Sequence, residues 1–334
     1  MHIQIVLFDG FDLLDAIAPY EVFTAAAMYT NEAITVRLVS AEGARMVPSG
    51  VNDLKIQASE KLDLNCKGII LVPGASGSVD GNGPDSVPVK LKNATETELS
   101  NLLKEALQKP DILLSTVCGG SLILAMDGLL EGRHAVTHHM GMGLLSATNA
   151  IPIQARIVDD GDLVTGGGVT SGLDVALYLV ERELGPRIAH EVEKLFEYER
   201  RGTVWKAEGS VPKEAHQEVP EEESSNASMV QTDRIVDVLG KWDTTIATPI
   251  GKLSVLLDLA SADGRIVGTA TQGNEIVPLN HPVQEGNQLK WSMKVTKPMR
   301  LTLKFTVYVD GNNMTGEAKA GMLPASKLSG HRLL

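Results

Sequence analysis

An acidic segment in the second half of the chain, residues 207–229, constrains the fold most. It contains six Glu, one Lys and hardly any large apolar side chain. Such a segment cannot bury enough apolar surface to offset the conformational entropy lost on ordering, so it favours a linker. The 334 residues exceed one average domain, and their 43% hydrophobic content is ample for a core. We therefore predict two domains, residues 1–206 and 230–334, joined by this acidic linker.

Charge is distributed unevenly between the two predicted domains. Residues 1–206 carry 27 acidic and 17 basic side chains, whereas residues 230–334 carry 9 and 12. The net charge of −12 and the lack of clustered Lys and Arg argue against a nucleic-acid partner. We find neither a signal-peptide pattern nor a run of about 20 apolar residues, so we expect a soluble, cytoplasmic protein without a membrane partner.

Residues 1–206 alternate short apolar runs with longer stretches of helical periodicity. Near-continuous apolar strands separated by helices predict a parallel sheet that is covered on both faces. We expect a flavodoxin-like, doubly wound α/β domain whose site lies at the carboxyl ends of its strands. The predicted strands are residues 3–8, 35–40, 68–72 and 112–116, and the predicted helices are residues 14–29, 94–108 and 121–126.

Residues 230–334 show the alternation of apolar and polar side chains that is typical of half-exposed strands. Along residues 301–309, for example, Leu, Leu, Phe, Val and Val alternate with Thr, Lys, Thr and Tyr. Turn signals such as Asp-Gly and Glu-Gly-Asn separate the alternating runs and suit hairpins. We predict a smaller, antiparallel all-β domain, barrel-like or sandwich-like, with strands at 252–260, 265–271, 288–295 and 300–309.

One segment of the first domain, residues 111–126, carries candidate chemistry. Its sequence, DILLSTVCGGSLILAM, runs from an apolar strand through Cys118 and two glycines into an apolar helix. A nucleophile elbow needs this order, because the sharp turn holds the side chain above the sheet and small neighbours avoid clashes. The helix N-terminus is expected to lower the pKa of the thiol. The alternative is an inert core cysteine, which is our interpretation of Cys66, the other cysteine of the chain.

Four segments together resemble the ThiJ/PfpI superfamily, which has a class I glutamine amidotransferase-like fold, and in particular its isonitrile hydratase-like branch. They cover most of residues 1–200 and occur in the order of that family. The first contains Asp15 four residues before Pro19. The four segments are LDAIAPYEVF at 14–23, VCGGSLILA at 117–125, GLLEGRHAVTHH at 128–139 and VDDGDLVTGGGVTSGLD at 158–174.

The resemblance implies a hydro-lyase that adds water to a small isonitrile or a related substrate through a cysteine thioimidate and releases an N-substituted formamide. It places Cys118 at the nucleophile position and Asp15 at the acidic position that supplies and accepts protons. It further implies a small-molecule substrate, a homodimer and no cofactor, and no ligand cluster in the sequence predicts a metal. The residues that we assign to substrate or oxyanion binding are Gly74, Ala75, Gly119, His138 and Gly168.

Two positions depart from the hydratase pattern. Gly119 stands where hydratases typically have a Thr whose hydroxyl belongs to the site, and Ala75 replaces the second glycine of a Pro-Gly-Gly loop. Because the superfamily hosts several activities, two alternatives remain open: a non-enzymatic ligand- or redox-sensing protein, and a deglycase- or glyoxalase-like enzyme using His138. Regulators built on this domain usually carry a C-terminal helix-turn-helix domain, which the alternating pattern after residue 230 does not predict.

Overall fold

The computed structural model describes residues 1–79, 83–210, 238–248, 251–262, 265–273, 275–295, 301–320 and 325–333. Most of the predicted acidic linker, residues 211–229, lies outside the described residues. The boundaries at 206 and 230 therefore stay predictions. The described residues form two large sheets, each with its own hydrophobic core.

The helices all belong to the N-terminal part of the described chain. They are α1 (Leu13–Met28), α2 (Val87–Thr95), α3 (Glu98–Ala106), α4 (Gly120–Met126), α5 (Met142–Ala147), α6 (Ser171–Leu184) and α7 (Pro186–Phe196), with a 3₁₀ turn at His139–Gly141. The helix predicted at 94–108 is thus divided between α2 and α3. Thr97 causes the break, because its hydroxyl caps α3 by accepting from the Leu99 N–H at 3.2 Å.

Twelve strands lie in the same N-terminal part of the described chain. They are β1 (His2–Val6), β2 (Thr35–Ser40), β3 (Arg45–Pro48), β4 (Lys55–Ala58), β5 (Glu60–Lys61), β6 (Gly68–Val72), β7 (Ile112–Thr116), β8 (His134–Ala135), β9 (Ile151–Pro152), β10 (Ile157–Asp159), β11 (Leu163–Gly166) and β12 (Val204–Lys206). Eight of them form one sheet in the order β12-β10-β11-β7-β6-β1-β2-β5. The strands β3 and β4 pair as a hairpin, and β8 pairs with β9.

The eight-stranded sheet is parallel except for the antiparallel pair β10–β11. Its central strands β7 and β11 are buried along their whole length, as continuous apolar strands between two helical layers must be. Because β7, β6 and β1 are neighbours, the loops at their carboxyl ends meet at one edge of the sheet. This arrangement confirms the predicted α/β fold and brings three distant segments together.

The C-terminal described residues form a nine-stranded antiparallel sheet in the order β16-β15-β14-β13-β21-β20-β19-β18-β17. Near its two edges, β15 contacts β17 and β16 contacts β18, so the sheet is a nearly closed barrel. This confirms the antiparallel β prediction and decides for a barrel-like form. The strands are β13 (Gly240–Thr248), β14 (Gly251–Ala262), β15 (Arg265–Gln272), β16 (Glu275–Pro278), β17 (Asn280–Glu285), β18 (Gln288–Val295), β19 (Leu301–Asp310), β20 (Asn313–Ala320) and β21 (Ser326–Leu333).

The alternating pattern of β19 directs most of its larger apolar side chains into the barrel core, whereas Leu301 packs against the core of the other sheet. On β19, Phe305, Val307 and Val309 are buried, whereas Lys304 and Tyr308 are exposed. The predicted register of this strand is therefore correct. Trp291 of β18 stacks on Phe305 with ring centroids 4.7 Å apart, at the centre of this core.

Candidate active site

Cys118 lies in the sharp turn between β7 and α4, and its backbone φ is +56°. A residue with a Cβ atom adopts this left-handed conformation at a cost of roughly 1–2 kcal/mol. Two hydrogen bonds hold the turn. The Cys118 N–H donates to the Gly166 carbonyl at 3.1 Å, and the Cys118 carbonyl accepts from Thr137 Oγ1 at 2.9 Å. The turn therefore has the strained strand-to-helix geometry of a nucleophile elbow.

Asp15 approaches this elbow from the first turn of α1. Its carboxyl group is completely buried, and its Oδ2 accepts a hydrogen bond from the Gly74 N–H at 3.0 Å. Its Oδ1 is buried without a hydrogen-bond partner. A buried polar oxygen without a partner costs free energy, and such an oxygen in a native protein needs an explanation. A role in proton transfer to a bound molecule provides one.

The thiol and the carboxyl group influence each other's ionisation. Burial, then the Asp15 and Asp12 carboxylates, raise the pKa of the Cys118 thiol far above its usual value, and the Gly119 N–H opposes them only in part. Burial, followed by Asp12, likewise raises the pKa of Asp15, against the hydrogen bonds from Gly74 and Cys118. The expectation that the helix N-terminus lowers the thiol pKa is therefore wrong, because desolvation outweighs it. Burial therefore favours the protonated form of both groups.

Gly74 packs directly against this pair. A Cβ atom placed on Gly74 would lie 2.6 Å from the Gly119 nitrogen, 2.8 Å from Asp15 Oδ2 and 3.1 Å from Cys118 Cβ. Only glycine allows the backbone of the loop after β6 to come this close. The next residue, Ala75, is 6% exposed and forms an isolated antiparallel bridge with Phe11, so it supports the loop.

His138 and Gly168 lie together on the other side of the elbow. A Cβ atom on Gly168 would be 3.6 Å from His138 Cδ2. His138 Nδ1 accepts from the Met140 N–H at 3.4 Å, and burial, followed by the charge of His139, lowers the pKa of His138. Among the hydrogen bonds of the described residues, none joins His138 to Cys118. The geometry therefore favours Asp15 over His138 as the partner of the thiol.

The sequence did not reveal three residues that hold or cover the elbow. Thr137 and Gly166 bind the backbone of Cys118, and both lie in segments that the motifs already marked. Leu91 of α2 covers Gly119 and belongs to no motif. Leu91 could not be found from the sequence, because a leucine on a helix carries no signal beyond burial.

Neither a metal-binding cluster nor a membrane-spanning helix occurs in the part of the chain that the structure describes. Within it, we find no group of three or more His, Cys, Asp or Glu side chains that could hold a metal ion. None of its helices is both long and apolar enough to cross a membrane.

Comparison with known proteins decides the family. Residues 1–182 match the DJ-1/PfpI family. The chain belongs to the DJ-1/PfpI family. This confirms the resemblance to the ThiJ/PfpI superfamily that the motifs at 14–23, 117–125 and 128–139 indicate.

Relatives with different descriptions match this DJ-1/PfpI chain. It is 31% identical to the isonitrile hydratase of Pseudomonas putida over 201 aligned residues. The alignment covers 59% of this chain and 78% of that enzyme. It is 23% identical to the HTH-type transcriptional regulator CdhR of Pseudomonas aeruginosa over 252 aligned residues. This alignment covers 75% of this chain and 67% of that regulator. The crystal structure of Drosophila melanogaster DJ-1beta has a TM-score of 0.50 and 19% identity over 59% of this chain and 98% of its own, which shows a shared fold.

Proposed function

We propose that this DJ-1/PfpI protein is a cysteine-dependent enzyme of the isonitrile hydratase type, which converts a small isonitrile to its N-substituted formamide. The observation that carries the proposal is the buried pair of Cys118 and Asp15 at the elbow, with Asp15 held by the Gly74 N–H. The 31% identity to the Pseudomonas putida isonitrile hydratase supports the same reaction. The enzyme class that follows is that of the hydro-lyases.

The ionisation of the pair suits an addition that begins with an acid. The raised pKa of Asp15 favours its protonated form, which can give its proton to the terminal carbon of R–N≡C. The Cys118 sulfur bonds to that carbon, and the thiol proton passes to the Asp15 carboxylate. The product of this step is the thioimidate R–N=CH–S–Cys118, and Asp15 is again protonated.

Water completes the reaction. Its oxygen adds to the thioimidate carbon, a proton goes to the nitrogen, and the C–S bond breaks as the sulfur takes back a proton. The products are R–NH–CHO and the free Cys118 thiol, so one water is consumed for each isonitrile. Asp15, at the end of its Gly74 hydrogen bond, is the residue placed to relay these protons.

The second candidate is a ligand-sensing protein without turnover. The similarity to the regulator CdhR favours it, as does the low exposure of Cys118, 7%, above a completely buried Asp15. With this relative, the predicted absence of a nucleic-acid partner stays a prediction. Sensing of oxidants is less favoured, because sulfenic acid forms from the thiolate and the raised pKa of Cys118 keeps the thiol protonated.

The test is conversion of a simple alkyl isonitrile to its formamide by the purified protein and by three variants. We expect Cys118→Ala to abolish turnover and Asp15→Asn to reduce it by roughly 10²- to 10⁴-fold. Cys66→Ala is the matched control, because Cys66 hydrogen-bonds only to the surface residue Asp63, and should keep full activity. Turnover that persists in Cys118→Ala, or a folded wild type that binds isonitriles without converting them, would refute the hydratase proposal.

We propose a cytoplasmic homodimer that takes a small-molecule substrate. A groove of about 270 Å³ between α1 and α7 exposes Met28 and Leu195, which are 72% and 51% exposed, and so offers an apolar surface for a second copy. Light scattering on the wild type and on Met28→Lys tests this: a monomeric wild type would refute it.

A further inference from the structure

The barrel contacts the α/β part of the chain through two polar side-chain pairs. Lys294 Nζ of β18 donates to Glu131 Oε1 at 2.9 Å, and Thr302 Oγ1 of β19 donates to Asn149 Oδ1 at 2.9 Å. Lys294 and Thr302 are cross-strand partners, so both contacts come from one place on the barrel. Beside them, Leu301 packs against the α/β core, and β19 and β20 lie against α5. The barrel therefore occupies a defined surface of the α/β part.

This surface belongs to residues 131–152, which contain β8, the 3₁₀ turn, α5 and β9 and which we call the docking unit. Glu131 stands shortly before β8, and Asn149 stands shortly before β9. The two strands pair with each other, and the Gly132 N–H donates to the Asn149 carbonyl at 2.9 Å. The two polar contacts with the barrel therefore hold both strands of one small ladder.

The docking unit also holds the nucleophile elbow. Thr137, two residues after β8, donates from its Oγ1 to the Cys118 carbonyl at 2.9 Å. The Val136 carbonyl accepts from Ser121 Oγ of α4, the helix that follows the elbow, at 2.9 Å. Cys118 itself has a φ of +56° and is 7% exposed. A backbone in this conformation persists only where its surroundings hold it. One unit thus contacts the barrel and supports the strained turn.

We propose that the docking unit couples the barrel to the nucleophile elbow, so that release of the barrel loosens the turn and opens the Cys118 thiol to solvent. Without the barrel contacts, β8 loses support, and the bond from Thr137 to the Cys118 carbonyl weakens with it. Coupling of this kind passes through a continuous series of hydrogen bonds and paired strands. The inference concerns access to the thiol and is independent of the proposed hydratase reaction.

The test is the rate at which iodoacetamide alkylates Cys118 at pH 9, in a Cys66→Ala background. Lys294→Gln combined with Thr302→Val removes both polar contacts between the barrel and the docking unit. We expect alkylation to become about tenfold faster, which is the factor that corresponds to the loss of one hydrogen bond and one exposed ion pair. An unchanged rate in this folded double variant would overturn the inference.

The barrel offers a matched control on the same two strands. Lys290 of β18 and Thr306 of β19 are also cross-strand partners, but Lys290 forms its ion pair with Glu285 inside the barrel sheet. Lys290→Gln combined with Thr306→Val should therefore leave the alkylation rate of Cys118 unchanged. An acceleration equal to that of the first double variant would show a general loss of barrel stability and would overturn the inference.

The pathway through Thr137 can be tested separately. In a Thr137→Val background, removal of the two barrel contacts should accelerate alkylation by about twofold or less, because the link to the elbow is already cut. A full tenfold effect in that background would overturn the inference.

A charge exchange keeps the inference testable if the first double variant does not fold. Lys294→Glu places two carboxylates together and should raise the alkylation rate about threefold, whereas Lys294→Glu combined with Glu131→Lys should restore the slow rate. A Lys294→Glu rate equal to that of the wild type, or a failure of Glu131→Lys to restore it, would overturn the inference.

Discussion

The backbone of Gly74 packs directly against both reacting groups, and Gly74→Ala tests whether the Cys118–Asp15 pair depends on this contact. The new methyl group would lie 2.6 Å from the Gly119 nitrogen and 2.8 Å from Asp15 Oδ2. Overpacking of this kind costs roughly 1–3 kcal/mol. Loss of the 3.0 Å bond from the Gly74 N–H to buried Asp15 adds roughly 1 kcal/mol. We therefore expect the free energy of unfolding to fall by about 2–4 kcal/mol.

Urea unfolding measures this effect. With a slope of about 3 kcal/mol per molar, the midpoint of the α/β part should fall by about 1 M. Activity should fall by about 10²-fold, because a shift of about 1 Å misplaces the reacting groups. Gly83→Ala, with no atom within 4 Å of its new methyl group, should change neither quantity, and Gly168→Ala, 3.6 Å from His138, should change the stability little. A Gly74→Ala protein as stable as these controls would refute the packing argument.

Three other predictions follow from the ionisation and the backbone. The ionised form of Asp15 raises the pKa of Cys118, so at alkaline pH Asp15→Asn should make alkylation of the thiol faster, about tenfold per unit of pKa, while turnover falls. Cys118→Gly should be about 1 kcal/mol more stable to urea than Cys118→Ala, because glycine tolerates the φ of +56°. Burial disfavours ionised Asp159, but Tyr178 and Arg182 outweigh it and lower the pKa of Asp159. Its stabilisation is present above its unfolded pKa of about 4 and is lost as the pH falls through the folded value, so Asp159→Asn should lower the unfolding midpoint more at pH 7 than at pH 3.

The sheet of the N-terminal part was predictable where apolar runs are continuous and bounded by turns. β2, β6 and β7 begin and end at the predicted residues. β6 and β7 are buried almost throughout, and a strand that is buried on both faces has a continuous apolar run without a period of two. By contrast, β20, NMTGEAKA, was not predicted. Apart from the buried Met314, its side chains are small or polar, and it is a strand because β19 and β21 pair with it on both sides.

The candidate site was predictable to different degrees. Cys118 follows from local sequence, because the strand, the turn and the helix of an elbow are contiguous. Asp15 came only from the resemblance, since no local pattern reports that β1 and β7 flank β6 in the sheet. We predicted a lowered pKa for the Cys118 thiol, whereas its pKa is raised. Burial depends on distant residues, and it outweighs the local helix N-terminus that the sequence does reveal.

That reversal changes which chemistry the site can support. A thiolate nucleophile with an ionised carboxylate beside it would suit attack on carbonyl carbons, and it would also be open to oxidation. A buried pair whose pKa values are both raised instead suits a substrate that takes a proton at the carbon that the sulfur then attacks. The terminal carbon of an isonitrile does this, because it carries a lone pair and becomes electrophilic once protonated. The buried Leu91 side chain beside Gly119 fits the same chemistry, because the exclusion of water around the site raises both pKa values.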